Sequence, residues 1–138
     1  MEQRPFNDIS FRLFINEEKL MGSRCGGCGA LFVPPRSICV HCSGAEMEWV
    51  QMKGLAKLAA FTCIAIGPPH MLKEGYDRKR PYCTGVVQLE EGPKVVARIE
   101  GIDTNKPENI LIGTPLAAGF LRRKHGEAET AFLAFAPL

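Results

Sequence analysis

A mainly β fold is predicted by three features of this 138-residue sequence: an N-terminal helix, a four-cysteine ribbon and a C-terminal barrel. Two Cys-x-x-Cys pairs, Cys25/Cys28 and Cys39/Cys42, stand ten residues apart. Five short apolar runs follow, divided by turn-forming residues, and one amphipathic stretch comes first. The expected segments are 1–22 for the helical part, 23–48 for the ribbon and 49–138 for the barrel.

Residues 8–18 (DISFRLFINEE) supply the helix. Asn7 or Asp8 can cap it, and Ile9, Phe11, Leu13, Phe14 and Ile15 recur at i+3 and i+4 spacing. The apolar arc is wide for so short a helix. It must lie in a groove, on its own barrel or on a partner.

Residues 20–48 hold four cysteines, five glycines and Pro34-Pro35, with too few apolar residues to fold by burial alone. A Cys-x-x-Cys turn lets two sulfurs converge on one ion while backbone amides point at the thiolates. Two such turns complete the tetrahedron that zinc accepts from four thiolates. Gly26, Gly27 and Gly29 suit a tight first turn. Cys25, Cys28, Cys39 and Cys42 are therefore the expected ligands, and with every position taken by protein a Zn2+ ion here would be structural. Zinc sites of this kind bind with about 10–16 kcal/mol, comparable to a domain's whole stability of about 5–15 kcal/mol. The same ligands also suit iron in a rubredoxin-like site. A reducing cytosol disfavours two disulfides, and the regular spacing disfavours four plain buried thiols. His41 sits inside the second pair and could replace a neighbour, though a place outside the ligand set is favoured.

From about residue 49 the pattern turns to strands. LAKLAAFTCIAI (55–66), YCTGVVQL (82–89), KVVARIE (94–100), PLAAGFLRR (115–123) and TAFLAFA (130–136) are short and apolar. Glu90-Glu91-Gly92-Pro93 reads as a tight turn between two antiparallel strands. So many strands in so short a segment suit a small barrel, with an OB-fold the leading candidate.

Composition narrows the function. Hydrophobic residues make up 46% and charged residues 23%, an ordinary globular balance. A net charge of +2 and a pI of about 8.2 are too balanced to argue for nucleic acid. A single-stranded nucleic-acid-binding OB-fold is nonetheless the alternative from another class. Aromatics are only 8%, and most phenylalanines lie in apolar runs rather than on a basic stacking surface. No window approaches the roughly 20 apolar residues that cross a bilayer, and Met1 to Asp8 lacks a signal peptide's apolar core. A cytoplasmic protein without membrane contact is expected, where six cysteines point to metal or thiol chemistry.

Few other residues carry a chemical pattern. Cys63 and Cys83 fall in apolar strands and read as inert structural thiols, against a free-standing enzyme that would use one of them. His41, His70 and His125 fall in turn or loop contexts, and no phosphate loop, paired carboxylates or nucleophile elbow is present. Two stretches could bind a ligand. The long connection 67–81 (GPPHMLKEGYDRKRP) offers His70, Tyr76, Lys79 and Arg80, with Tyr82 just beyond. The run Arg122-Arg123-Lys124-His125 could meet a phosphate or an acidic partner.

Arg24-Cys25 through Cys28-Gly29, then Phe32-Val33-Pro34-Pro35-Arg36, then Cys39 through Cys42, resemble the acyl-CoA-associated zinc-ribbon/OB-fold family, formerly a domain of unknown function. The likeness extends to Arg80-Pro81-Tyr82, Gly85-Val86-Val87, Glu91-Gly92 and Ile112-Gly113-Thr114-Pro115-Leu116, from about Phe6 to Pro137. His41 departs from it, since the family often has proline there.

The resemblance implies an N-terminal helix, a rubredoxin-like zinc ribbon and a C-terminal OB-fold. It also implies a non-catalytic auxiliary subunit of an acyl-CoA acyltransferase (thiolase) complex. Such a subunit braces a thiolase-like enzyme and helps enclose CoA or an acyl-CoA thioester shared with it. The benzoylsuccinyl-CoA thiolase type of aromatic degradation, which cleaves a β-keto acyl-CoA, is one expected setting. Steroid side-chain hydratases and aldolases, and hydroxymethylglutaryl-CoA synthase, are the others. The expected contacts with CoA or partner are His70, Tyr76, Lys79, Arg80, Tyr82, Arg122 and Arg123.

Overall fold

The structure is a computed structural model that describes residues 4–125 and 128–138. Asn7 starts helix α1 (Asp8–Asn16), its side-chain oxygen accepting the Ser10 amide at 3.0 Å. The helix ends at Glu17, and Glu18 turns the chain away with φ of 62°. Phe14 and Ile15 are buried, whereas Ile9 and Leu13 stay exposed. The wide apolar arc is therefore only partly covered by the chain itself.

Strands β1 (Met21–Cys25), β2 (Leu31–Phe32) and β3 (Met47–Gln51) form an antiparallel sheet in the order β2-β1-β3. The strands named from the sequence begin at about residue 49. Here β3 runs across position 48/49, pairing from Cys25↔Met47 to Met21↔Gln51. Trp49 of β3 is the seat of the helix. Phe6 stacks on it at 4.7 Å, Phe14 meets it edge-on at 4.9 Å, and its indole N–H donates to the Arg4 carbonyl at 3.0 Å.

The remaining strands are β4 (Leu55–Ile64), β5 (Tyr82–Leu89), β6 (Lys94–Ile99), β7 (Pro115–His125) and β8 (Ala128–Pro137). They close a five-stranded barrel in the order β4-β5-β6-β8-β7, with β7 returning to β4 through Ala56↔Leu116. All neighbours are antiparallel except β6 and β8, which run parallel through Arg98↔Ala134 and Ile99↔Phe135. Alternate residues of β5 and β6 point inward, so Val87, Leu89, Val95 and Ile99 join Leu58, Leu116 and Phe135 in one core. Each such side chain contributes about 1.5–3 kcal/mol by leaving water. The tight turn expected at 90–93 is present: the Gly92 amide donates to Leu89 O at 2.9 Å, and Gly92 takes φ of 117°.

The connection 67–81 is no plain loop. It contains a short helix, α2 (Pro69–Lys73), followed by a turn at Asp77–Arg80, and it packs on the barrel through buried Met71 and Tyr76. No helix among the described residues is long and apolar enough to cross a membrane.

Candidate functional site

The two knuckles are built alike. At the end of β1, the Cys25 amide donates to Ala30 O and the Gly29 amide to Cys25 O, both at 2.8 Å. Fourteen positions on, the Cys39 amide donates to Gly44 O at 2.8 Å and the Ser43 amide to Cys39 O at 2.9 Å. In each knuckle the fourth residue past the leading cysteine takes a left-handed conformation, φ 81° at Gly29 and 61° at Ser43. The Gly26 amide donates to Glu46 O at 2.7 Å, tying the first knuckle to the residue that leads into β3.

This geometry gathers the four thiols. Cys25 Sγ lies 3.5 Å from Cys42 Sγ, Cys28 Sγ lies 3.4 Å from Cys39 Sγ, and all four fall within 4.8 Å of one another. A zinc ion with sulfurs at about 2.3 Å needs tetrahedral edges of about 3.8 Å, so the set fits with small adjustment. Cys25 and Cys39 are buried, and Cys28 and Cys42 are exposed. Amides aim at the sulfurs, including His41 N to Cys39 Sγ at 3.4 Å.

Electrostatics favour a dication here. The Cys28 and Gly27 amides, helped by Cys42, pull the Cys25 thiol down to about 6. The Cys42 amide, with that of His41, lowers Cys39. At Cys42 the Gly44 amide pulls down, but the sulfurs of Cys25, Cys28 and Cys39 outweigh it and push the group up to about 12. Four thiolates this close repel one another, and a doubly charged cation removes that conflict. His41 is exposed and stacks on Phe32 at 6.1 Å, outside the sulfur set.

The outer face of β6 and β7, where α2 and its following turn pack, is the second candidate. Glu74, just past α2, accepts from Arg98 Nη1 at 3.0 Å and Nη2 at 3.2 Å, and from Arg123 Nε at 3.0 Å. Hydrogen bonds from Arg98 and then Arg123 hold its carboxyl below the usual range against the opposing effect of burial. Arg98 Nη2 also approaches Met71 Sδ at 3.4 Å. Beyond Glu74, the Asp77 carboxylate accepts the Lys79 and Arg80 amides at 2.8 and 3.0 Å and shapes the turn. The Arg80 guanidinium lies 4.9 Å from the Tyr76 ring, which meets Tyr82 edge-on at 5.6 Å.

Tyr76, Arg80 and Tyr82 thus line one pocket of about 170 Å³, with Cys83, Arg98 and Thr104. His70 and Lys79 are exposed on the same connection. Arg123 belongs to this region through Glu74. Arg122 turns toward α1 instead, donating to Asn16 O at 3.0 Å and pairing with Glu18 at 3.5 Å. The side chains of Lys124 and His125 lie outside the described residues. Sequence reasoning missed Glu74 and Arg98; the one available signal was an arginine inside the apolar run KVVARIE.

A closed barrel of this strand order, preceded by a four-thiolate ribbon, defines a zinc-ribbon/OB-fold protein. The chain belongs to the ChsH2 (DUF35) family: residues 15–48 match the ChsH2 rubredoxin-like zinc ribbon domain and residues 49–121 its C-terminal OB-fold domain. It is 31% identical over 106 residues to a DUF35 domain-containing scaffold protein of Methanocaldococcus jannaschii, covering 76% of this chain and 70% of that one. It is 37% identical over 82 residues to the benzoylsuccinyl-CoA thiolase subunit BbsA of Thauera aromatica, covering 59% of this chain and 52% of that subunit. Among solved structures it resembles a chain of the Ltp2–ChsH2(DUF35) aldolase, with a TM-score of 0.76 and 25% identity over 99% of this chain and 98% of that one.

Proposed function

We propose that the chain is a non-catalytic auxiliary subunit of a heteromeric thiolase-like acyl-CoA enzyme, acting in the cytoplasm. Its ribbon is held by one structural zinc ion on Cys25, Cys28, Cys39 and Cys42, and its 67–82 connection faces a CoA thioester shared with the partner. The observation that supports this best is that a chain carrying both modules resembles scaffold proteins, a thiolase subunit and a chain of an aldolase. A four-thiolate site leaves zinc no open position for substrate or water, so the ion would brace the fold and supply no reaction chemistry.

The residues of the 67–82 connection then act by position. Lys79 and Arg80 carry exposed cations suited to phosphate oxygens, and Tyr82 lines the neighbouring pocket. Fixing a CoA arm against the partner's reacting groups is an orientation effect, which alters rates without donating a catalytic group. The aldolase complex favours a second reading, in which the partner is an aldolase of the same thiolase-like kind.

Co-expression with a thiolase-like or aldolase partner tests both. The expected result is co-purification and a partner active only when this chain is present. K79A/R80A should raise the apparent KM for the CoA thioester at least about tenfold, the loss of about 1.4 kcal/mol. Unchanged partner affinity and turnover in that variant would overturn the loop assignment. A chain that neither binds such enzymes nor alters their turnover would overturn the subunit reading.

A further inference from the structure

Cys63 and Cys83 stand outside the ribbon, and the barrel brings them together. Leu58 of β4 faces Val87 of β5, but Ala60 faces Val86, so β4 carries one extra residue between them. Beyond that bulge Phe61 faces Gly85 and Cys63 faces Cys83. Without the extra residue Thr62 would face Cys83, and Cys63 would point to the other side of the sheet. Cys83 is buried in the core and Cys63 packs half-buried against it.

Directly opposed residues of antiparallel strands have Cα atoms about 4.5 or 5.5 Å apart. A disulfide takes Cα separations of about 4.4–6.8 Å. Burial, and then the neighbouring Cys63, push the Cys83 thiol up to about 12. The two thiols also bracket the connection that holds α2, Glu74 and the Asp77–Arg80 turn.

We propose that Cys63 and Cys83 form a second thiol site that is closed reversibly to a cross-strand disulfide by a low-molecular-weight disulfide such as oxidised glutathione, clamping the two strand ends that carry the 67–81 connection. The more exposed Cys63 reacts first. Its thiolate attacks one sulfur of glutathione disulfide, forming a mixed disulfide and releasing one glutathione thiolate. Cys83 then loses its proton and attacks Cys63 Sγ, and the second glutathione leaves. Two electrons pass from the protein dithiol to the glutathione disulfide. The two protons that the cysteines give up are those that the two glutathione thiolates take up.

This site depends on no partner, so its test uses the metal-loaded chain alone in graded mixtures of oxidised and reduced glutathione. Mass spectrometry after alkylation should show loss of two hydrogens, a Cys63–Cys83 peptide link and retained metal. Protease cleavage within 67–81 should slow at least threefold, and dithiothreitol should restore it. C63A and C83S should each abolish both the link and the protection. A mixed disulfide at Cys63 that Cys83 never resolves would overturn the proposal. So would linkage confined to the ribbon cysteines, or a link that leaves cleavage of 67–81 unchanged.

Discussion

Ser23 and Arg36 hold each other through two reciprocal bonds: the Arg36 amide donates to Ser23 Oγ at 2.9 Å, and the Ser23 hydroxyl donates to Arg36 O at 3.1 Å. Ser23 is wholly buried in β1, two residues before Cys25, and Arg36 lies on the link between β2 and Cys39. The pair therefore sets how the second knuckle stands against the first.

Ser23→Ala leaves an amide and a carbonyl of that link without their partner, which costs about 1–3 kcal/mol. Weaker zinc retention is expected, read by competition with a chromophoric chelator. Retention equal to the parent would show that the link is held by other contacts.

Chelation of the metal is expected to unfold the ribbon sheet, β1 to β3, while β4 to β8 keep their pairing. Most of the apolar core comes from the barrel strands, with Ile15, Leu20 and Val33 reaching into it from α1 and the ribbon, whereas the knuckles gather around the four sulfurs. Trp49, the single tryptophan, reports the ribbon selectively from its stack between Phe6 and Phe14. Its fluorescence should change on adding a strong chelator, and amide exchange should quicken in 21–51 alone. Equal quickening in the barrel strands would refute the separation.

Glu74 pins the segment after α2 to β6 and β7 with a side chain only 9% exposed, against 14% for Arg98. Glu74→Ala would leave two guanidinium groups without their shared acceptor and cost about 2–3 kcal/mol. The expected readout is a lower Tm and faster proteolysis of 67–81, with the metal retained.

The same carboxylate gives a pH dependence. Its folded-state pKa is depressed, chiefly by the Arg98 hydrogen bonds. Its stabilisation is therefore complete above the ordinary carboxylate range of about 4.3 and falls away as pH drops through the lower folded value. Proteolysis of 67–81 by an acid-active protease should quicken below about pH 4 in the parent. Glu74→Gln should be fast throughout. A parent and variant with parallel profiles would remove Glu74 as the cause.

Gly22 is fixed by space rather than by conformation. A Cβ there would meet Phe32 O and Val33 Cγ2, both at 2.6 Å. Gly22→Ala must push β2 away from β1, which costs about 1–3 kcal/mol. A lowered Tm with weakened metal retention is expected; parent-like values would show that β2 yields freely.

The four-cysteine cluster was legible because its chemistry lies in spacing alone, Cys25-x-x-Cys28 and Cys39-x-x-Cys42. The five barrel strands were legible because runs such as KVVARIE bury alternate residues. The ribbon strands were not, since MGSRC and LF are too short and mixed to show a period; pairing across the sheet makes them strands. Likewise α2 is only five residues long and begins with Pro69 directly after Pro68, and its place comes from Met71 and Glu74 reaching the barrel. The meeting of Cys63 with Cys83 depends on one extra residue in β4, which no local propensity announces. Arg122 and Arg123 read alike in sequence, yet adjacent strand residues face opposite ways, and they pair with α1 and Glu74 respectively.

Helix α1 touches both halves of the molecule, seating Phe14 on Trp49 of the ribbon while Asn16 Oδ1 accepts the Ala131 amide of β8 at 2.8 Å. It works as a bracket rather than a hinge. In the subunit reading proposed above, an enzyme gripping ribbon and barrel together would meet a preset angle, so the freedom between them would already be lost before assembly.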